Sequence, residues 1–105
     1  MEKGDYTGRL KILVDKARNG SIVDVDFILD HLSSESILVM TRFINFALSN
    51  VETKEGMERI KYYLFNGSQI QRNYASLFFN RRGDWEIVLE AFRQGKIDEI
   101  QAFAR

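Results

Sequence analysis

The 105-residue chain contains no cysteine and no proline, and its charges cancel. Without cysteine, disulfide bonds, thiolate chemistry and cysteine-ligated metal sites are excluded. Without proline, no helix is interrupted by a missing amide hydrogen or by a fixed φ. Fifteen Lys and Arg balance fifteen Asp and Glu. This balance argues against a general nucleic-acid-binding protein, because such proteins usually carry a basic excess.

Long apolar segments are also missing. The longest, residues 37–48, is too short to cross a bilayer and includes Arg42. Residues 1–11 mix acidic with basic side chains and lack an apolar core, so they do not predict a signal peptide. With 45% apolar and 29% charged residues the composition is that of a globular protein. We expect one cytoplasmic domain over residues 1–105, with no membrane contact.

Glycine supplies the breaks that proline does not. Gly20, Gly67 and Gly83 each precede a Ser or an Asp. This pattern predicts a left-handed glycine that closes one helix and a side-chain oxygen that caps the next. Between the breaks, apolar residues recur at three- and four-residue steps, the period of an α-helix. The sequence therefore predicts an all-α fold with helices at residues 6–18, 22–32, 35–49, 54–66, 69–81, 84–94 and 97–104.

Several predicted helix starts carry capping patterns. Ser68 with Gln71, and Asp98 with Gln101, have the spacing of a capping box. Thr53 can open the helix at residues 54–66. After Gly83, Asp84 is expected to cap the helix at residues 84–94.

The helix at residues 35–49 is predicted to be the centre of the core. Residues 37–48 place apolar side chains around nearly its whole circumference, and Arg42 is its only charge. Such a helix is expected to be buried on all sides. Any part that this chain leaves uncovered is a candidate subunit interface.

An aromatic residue followed by alanine recurs at nearly constant spacing. The pairs are Phe46-Ala47, Tyr74-Ala75 and Phe103-Ala104, at steps of 28 and 29 residues. A period in this range is typical of stacked helical units, each too small to bury its own apolar face.

Residues 69–95 resemble one HEAT-type helical repeat. In that pattern the first helix carries an Arg and a small Ala, a Gly-Asp turn follows, and the second helix presents Val and Leu inward. Residues 41–67 are similar to a weaker copy without the Gly-Asp turn, so the resemblance covers about residues 41–95. It implies a right-handed stack of antiparallel helical hairpins; a compact bundle built from such hairpins is the alternative. The matching positions are Arg72, Ala75, Gly83, Asp84, Val88 and Leu89.

The resemblance implies a non-enzymatic interaction scaffold that binds a protein partner. Ile97, Ile100 and Phe103 lie on one stripe of the last predicted helix. At the end of a stack this stripe would face solvent, which predicts self-association as a homodimer through these residues. No catalytic residue, no cofactor and no metal ligand is predicted.

The alternative function is a nucleic-acid-contacting helical module. Residues 59–83 contain five basic side chains and no acidic one. Aromatic residues are interleaved with them, a combination that suits phosphate contact and base stacking. Most of these aromatic residues also belong to apolar helical stripes, so a core position explains them without base stacking. The basic residues are Arg59, Lys61, Arg72, Arg81 and Arg82; the aromatic ones are Tyr62, Tyr63, Tyr74, Phe78 and Phe79.

An acidic segment precedes the basic one. Residues 19–41 contain no Lys or Arg but hold Asp24, Asp26, Asp30, Glu35 and the lone histidine, His31. Such oxygens can bind a hard cation, and a histidine can transfer protons. Since no nucleophile or glycine loop accompanies them, we interpret them as a solvated helix face whose acids the helix dipole favours. Pairing of this segment with the basic residues, within the chain or across a dimer, stays open.

Overall fold

The computed structural model describes residues 8–33 and 38–104. These residues form seven α-helices and no β-strand, so the all-α prediction is confirmed. The predicted starts at residues 6 and 35 lie outside the described residues; the other predicted ends agree to within three residues. The helices are α1 (Gly8–Asn19), α2 (Ile22–Leu29), α3 (Leu38–Leu48), α4 (Lys54–Asn66), α5 (Gln69–Arg81), α6 (Trp85–Arg93) and α7 (Glu99–Phe103).

The helices group into two units, one ending at Met57 and the other beginning at Glu58. In the first unit α1, α2 and α3 pack against one another, and in the second α5, α6 and α7 do so. Helix α4 begins in the first unit and ends in the second. The single domain over residues 1–105 and the HEAT-type resemblance stay predictions.

The core of the first unit is built from the predicted apolar stripes, but α3 is not buried all round. Its buried face carries Ile44, Ala47 and Leu48, whereas Leu38 is 65% exposed and Phe46 is 42% exposed. The prediction of all-round burial is wrong because α1 and α2 cover only one side of α3. The other core residues of this unit are Leu13, Val14, Ala17, Val25, Ile28, Leu29, Leu32 and Val51.

Two of the three predicted left-handed glycines are confirmed. Gly20 and Gly83 have φ of +68° and +81°. The third, Gly67, does not have a positive φ. It is needed for space instead, because a Cβ there would lie 2.8 Å from the Tyr63 carbonyl oxygen and 2.9 Å from Gln71 Cβ. A side chain at this position would crowd the capping box that starts α5.

The capping boxes at Ser68 and Asp98 are confirmed, and Ser21 forms a further one with Asp24. The predicted cap at Asp84 is wrong, because its side chain makes no capping hydrogen bond. The backbone explains the difference: Asp84 has ψ of 62°, whereas Ser68 has ψ of 170°. Only the extended backbone turns the side-chain oxygen toward the first amides of the helix.

Thr53 joins the start of α4 to the end of α1. Its hydroxyl accepts a hydrogen bond from the Gly56 amide at 3.0 Å, as the sequence predicted for a helix cap. The same hydroxyl donates to the Gly20 carbonyl oxygen at 2.7 Å. A Cβ on Gly20 would lie 2.3 Å from Thr53 Oγ1. Gly20 is therefore required both by its φ and by this close approach.

The alanines of the predicted repeat are buried in two of its three copies. Ala47 and Ala75 are fully buried. In the third copy Ala104 follows the end of α7 and is only half-buried, while Ala102 is 3% exposed. In α7, the shortest of the described helices, the buried alanine thus lies two residues before the position that the repeat predicts.

Candidate contact surfaces

Arg72 binds the backbone of its own unit. Its Nε donates a hydrogen bond to the Lys96 carbonyl oxygen, and its Nη1 donates to the Gly67 carbonyl oxygen, both at 2.6 Å. The guanidinium thereby joins the start of α5 to the connection between α6 and α7. Two of the donors of Arg72, which the sequence predicts as a partner or nucleic-acid contact, are therefore used within its own unit.

The other four basic residues lie on two helices and the turn after the second. Arg59 lies 4.3 Å above the ring of Tyr62 on α4, where Lys61 is exposed. Arg81 and Arg82, both exposed, lie at the end of α5, and Arg82 is 4.3 Å above the ring of Phe78. Each of these cation–π contacts joins residues of the same helix or of the turn that follows it.

The aromatic residues of the basic segment do not form a stacking platform. Tyr63, Phe78 and Phe79 are buried, and Tyr74 is half-buried. Tyr62 alone among these five residues is largely exposed, at 47%. Base stacking requires an accessible aromatic face, so the geometry favours a core role for most of this set.

Asp24 is buried and works as a helix cap. Its carboxylate accepts hydrogen bonds from the Asn19 side-chain amide and from the Ser21 hydroxyl and amide, and Lys16 Nζ lies 3.8 Å away. The Asn19 hydrogen bond is the main cause that lowers the pKa of Asp24, and burial opposes it. Hydrogen bonds to the charged form favour that form.

Outside Asp24, the described part of the acidic segment contains Asp26, Asp30 and His31. Among the residues that the structure describes, no group of three or more His, Asp or Glu side chains could hold a metal ion. His31 Nδ1 lies 2.7 Å from the Phe27 carbonyl oxygen, and the two rings are 4.9 Å apart. Glu35 lies outside the described residues. The hydrogen-bond partners of Asp24, Asn19 and Ser21, belong to its own unit.

Helix α7 is held on α5 by side-chain hydrogen bonds. The buried Asn80 donates from Nδ2 to the carbonyl oxygens of Gln101 and Ala102, at 3.2 and 3.1 Å. Gln101 Nε2 donates to Asn73 Oδ1 at 3.2 Å. A five-residue helix is unstable alone, so these bonds, together with the Arg72 contact to Lys96, determine where α7 lies.

The outer side of α7 is apolar and exposed. Ile100 is 82% exposed and Phe103 is 55% exposed. Ile97 is only 6% exposed, because it precedes the helix and packs inward. Of the three residues predicted to mediate self-association, only Ile100 and Phe103 are accessible to a partner.

Helix α6 has an apolar arc wider than its buried face. Val88 and Ala91 are fully buried, whereas Trp85 is 51% exposed and Phe92 is 37% exposed. The Trp85 indole is fixed at its polar end, where Nε1 donates to the Asn80 carbonyl oxygen at 3.2 Å.

Sequence reasoning missed the role of Asn80. It lies on the same face of α5 as Asn73 and Ser76, at four- and seven-residue steps, and Ser76 and Asn80 are buried. A polar stripe of this kind at helical spacing was the available signal, because buried amides need hydrogen-bond partners.

No helix in the described ranges is long and apolar enough to cross a bilayer. Comparison with protein-family models, with curated proteins and with solved structures found no match to this chain.

Proposed function

We propose that this chain is a non-enzymatic, cytoplasmic interaction module that self-associates and binds a protein partner. The observation that supports this most is the apolar surface of the second unit. Two helices that pack on each other, α6 and α7, both present large apolar side chains to solvent. They are Trp85, Phe92, Ile100 and Phe103.

Exposed apolar surface of this kind is typical of a binding site. Single exposed apolar residues are ordinary, but several large ones on adjoining helices mark contact sites. Aromatic residues are also enriched in protein interfaces. The hydrogen bonds of Asn80 hold α7 and the Trp85 indole in place. A partner would therefore meet a preorganised surface and lose less entropy on binding.

The alternative, a nucleic-acid contact, is supported by exposed Arg81 and Arg82 at the end of α5 and exposed Trp85 at the start of α6. Against it stand the zero net charge, the Arg72 hydrogen bonds and the burial of most of the aromatic rings. Retention on DNA or RNA that falls with salt, and that Arg81→Glu abolishes, would favour this alternative.

The proposal is tested with two variants and a matched control. Ile100→Glu and Phe103→Glu place a charge on the exposed side of α7. Gln69→Glu adds the same charge at an exposed position in the first turn of α5, where the helix dipole favours it. Sedimentation equilibrium measures self-association, and quantitative affinity capture from the native cell, followed by mass spectrometry, measures the partner.

We expect the unaltered chain and Gln69→Glu to capture the same protein and to exceed the monomer mass at micromolar concentration. Ile100→Glu and Phe103→Glu should lose the captured protein. A monomeric mass that is unchanged on tenfold concentration would refute self-association. Equal capture by all four proteins would refute the α6–α7 surface.

A further inference from the structure

Two connections between helices have the same tripeptide sequence. Residues 19–21, between α1 and α2, and residues 66–68, between α4 and α5, both read Asn-Gly-Ser. In each, the asparagine is the last residue of one helix and the serine caps the next. Asparagine followed by glycine is the dipeptide most prone to deamidation, because glycine has no side chain to hinder its own backbone nitrogen.

Deamidation at such a site is an intramolecular reaction. The backbone nitrogen of the glycine loses its proton and attacks the side-chain carbonyl carbon of the asparagine. The side-chain amide nitrogen leaves and takes up that proton as ammonia. Water then opens the resulting succinimide ring at one of its two carbonyls, which yields aspartate or isoaspartate. The attack requires that the glycine amide and the asparagine side chain both be released from their hydrogen bonds and turned toward each other.

The first site is held by a residue from another helix. Asn19 Nδ2 donates a hydrogen bond to the buried carboxylate of Asp24 on α2. Gly20 is buried, and its amide donates to the Lys16 carbonyl oxygen at 2.9 Å. Opening of the last turn of α1 would release Gly20 but leave Asn19 bound to Asp24. Since a hydrogen bond to an ionised carboxylate is stronger than one between neutral groups, the Asn19 side chain is rarely free to react.

The second site is held by the last turn of its own helix. Asn66 Nδ2 donates to the Tyr62 carbonyl oxygen at 3.1 Å, and the Gly67 amide donates to the Tyr63 carbonyl oxygen at 2.9 Å. Both acceptors are neutral carbonyls of α4, and helix ends are the first part of a helix to fray. Opening of this one turn therefore releases both reacting groups together.

We infer that Asn66 is a site of spontaneous deamidation to aspartate and isoaspartate, and that Asp24 protects Asn19 from the same reaction in the folded protein. The product adds a carboxylate at the C-terminal end of α4, where the helix dipole disfavours it. Isoaspartate also lengthens the main chain next to Gly67, whose carbonyl oxygen accepts a hydrogen bond from Arg72. Deamidation of Asn66 should therefore weaken this contact at the start of α5.

Peptide mapping by mass spectrometry after incubation at neutral pH tests the inference. Trypsin places the two sites in separate peptides, residues 19–42 and residues 62–72. In the folded chain Asn19 should deamidate about tenfold more slowly than Asn66, or slower still, because of its hydrogen bond to a charged group. In guanidinium chloride, where these hydrogen bonds are absent, the two sites should deamidate at similar rates.

Two variants separate the role of Asp24 from that of a capping box in general. Asp24→Ala removes the carboxylate that holds Asn19 and should speed deamidation there about tenfold, with Asn66 unchanged. Gln71→Ala is the matched control, because it removes the corresponding capping side chain of α5 but leaves the hydrogen bond from Asn66 to Tyr62 in place. It should leave the rates at both sites unchanged.

The results that would overturn the inference are distinct. Absence of deamidation at Asn66 in the folded chain, or equal rates at Asn19 and Asn66 there, would show that the second site is not the reactive one. A rate at Asn19 that Asp24→Ala leaves unchanged would overturn the protection by Asp24. Circular dichroism on each variant checks that the helices are retained.

Discussion

Gly20 and Gly83 each close a helix, and their replacement by alanine separates two costs of a side chain: backbone strain at positive φ and steric overlap with neighbouring atoms. Gly83 has φ of +81°, and nothing lies within 4 Å of the position of an added Cβ. Gly83→Ala should therefore lower the free energy of unfolding only by the strain of a left-handed alanine, about 1–2 kcal/mol. Asparagine tolerates this backbone better, so Gly83→Asn should cost less.

Gly20 adds a steric term to the same strain. Its φ is +68°, and an added Cβ would lie 2.3 Å from Thr53 Oγ1 and 2.8 Å from Thr53 Cγ2. Moving Thr53 away costs about 1–3 kcal/mol of overpacking. It also weakens the hydrogen bond from Thr53 to the Gly20 carbonyl, a further loss of about 0.5–1.5 kcal/mol. Gly20→Ala should therefore cost roughly twice as much as Gly83→Ala, or more.

Urea unfolding measures both substitutions. Far-UV circular dichroism follows all helices, and the fluorescence of Trp85, the one tryptophan in the chain, follows the second unit. At a typical slope of about 2 kcal/mol per molar urea, Gly83→Ala should move the midpoint by roughly 0.5–1 M. Asp84→Ala is the control: it lies in the same turn without a capping bond, so it should change stability by less than about 0.5 kcal/mol.

Two results would refute this reasoning. If Gly20→Ala and Gly83→Ala cost the same, the close approach of Thr53 contributes nothing. If Asp84→Ala costs as much as Gly83→Ala, the turn depends on the Asp84 side chain after all.

Three further substitutions test the packing and the polar contacts. Ala75 is fully buried in α5, so Ala75→Leu should cost about 1–3 kcal/mol by overpacking; an unchanged urea midpoint would contradict close packing there. The pKa of Asp24 is lowered in the folded state, so its stabilisation is complete above the unfolded pKa of about 3.9 and is lost as the pH falls through the lower folded value. Asp24→Asn should flatten the dependence of the urea midpoint on pH below about pH 4, and curves of the same shape would refute this. Arg72→Met removes two hydrogen bonds to backbone carbonyls. It should lower the free energy of unfolding by about 1 kcal/mol and speed amide hydrogen exchange in α7. Unchanged exchange would contradict the role of Arg72 in holding α7.

The helices and most of their ends could be predicted from the sequence because local chemistry determines them. Apolar residues at helical spacing identified each helix, and glycines with neighbouring caps ended them. Helices α4 and α5 match their predicted bounds, since Thr53, Ser68 and Gly83 act on the backbone within a few residues of themselves.

The exposed surfaces were decided by tertiary structure. Periodicity identified the apolar arcs of α3 and α6 but not which neighbours cover them. Phe46 and Trp85 are therefore exposed, although the sequence predicted that the helix of Phe46 is buried on all sides. Arg72 shows the same limit, because a long basic side chain in a sequence does not reveal that two carbonyls more than three residues away will bind it. The spacing of apolar residues along the chain reports the helix that contains them. Their burial, and the hydrogen-bond partners of polar side chains, depend on residues from distant parts of the chain that folding brings close.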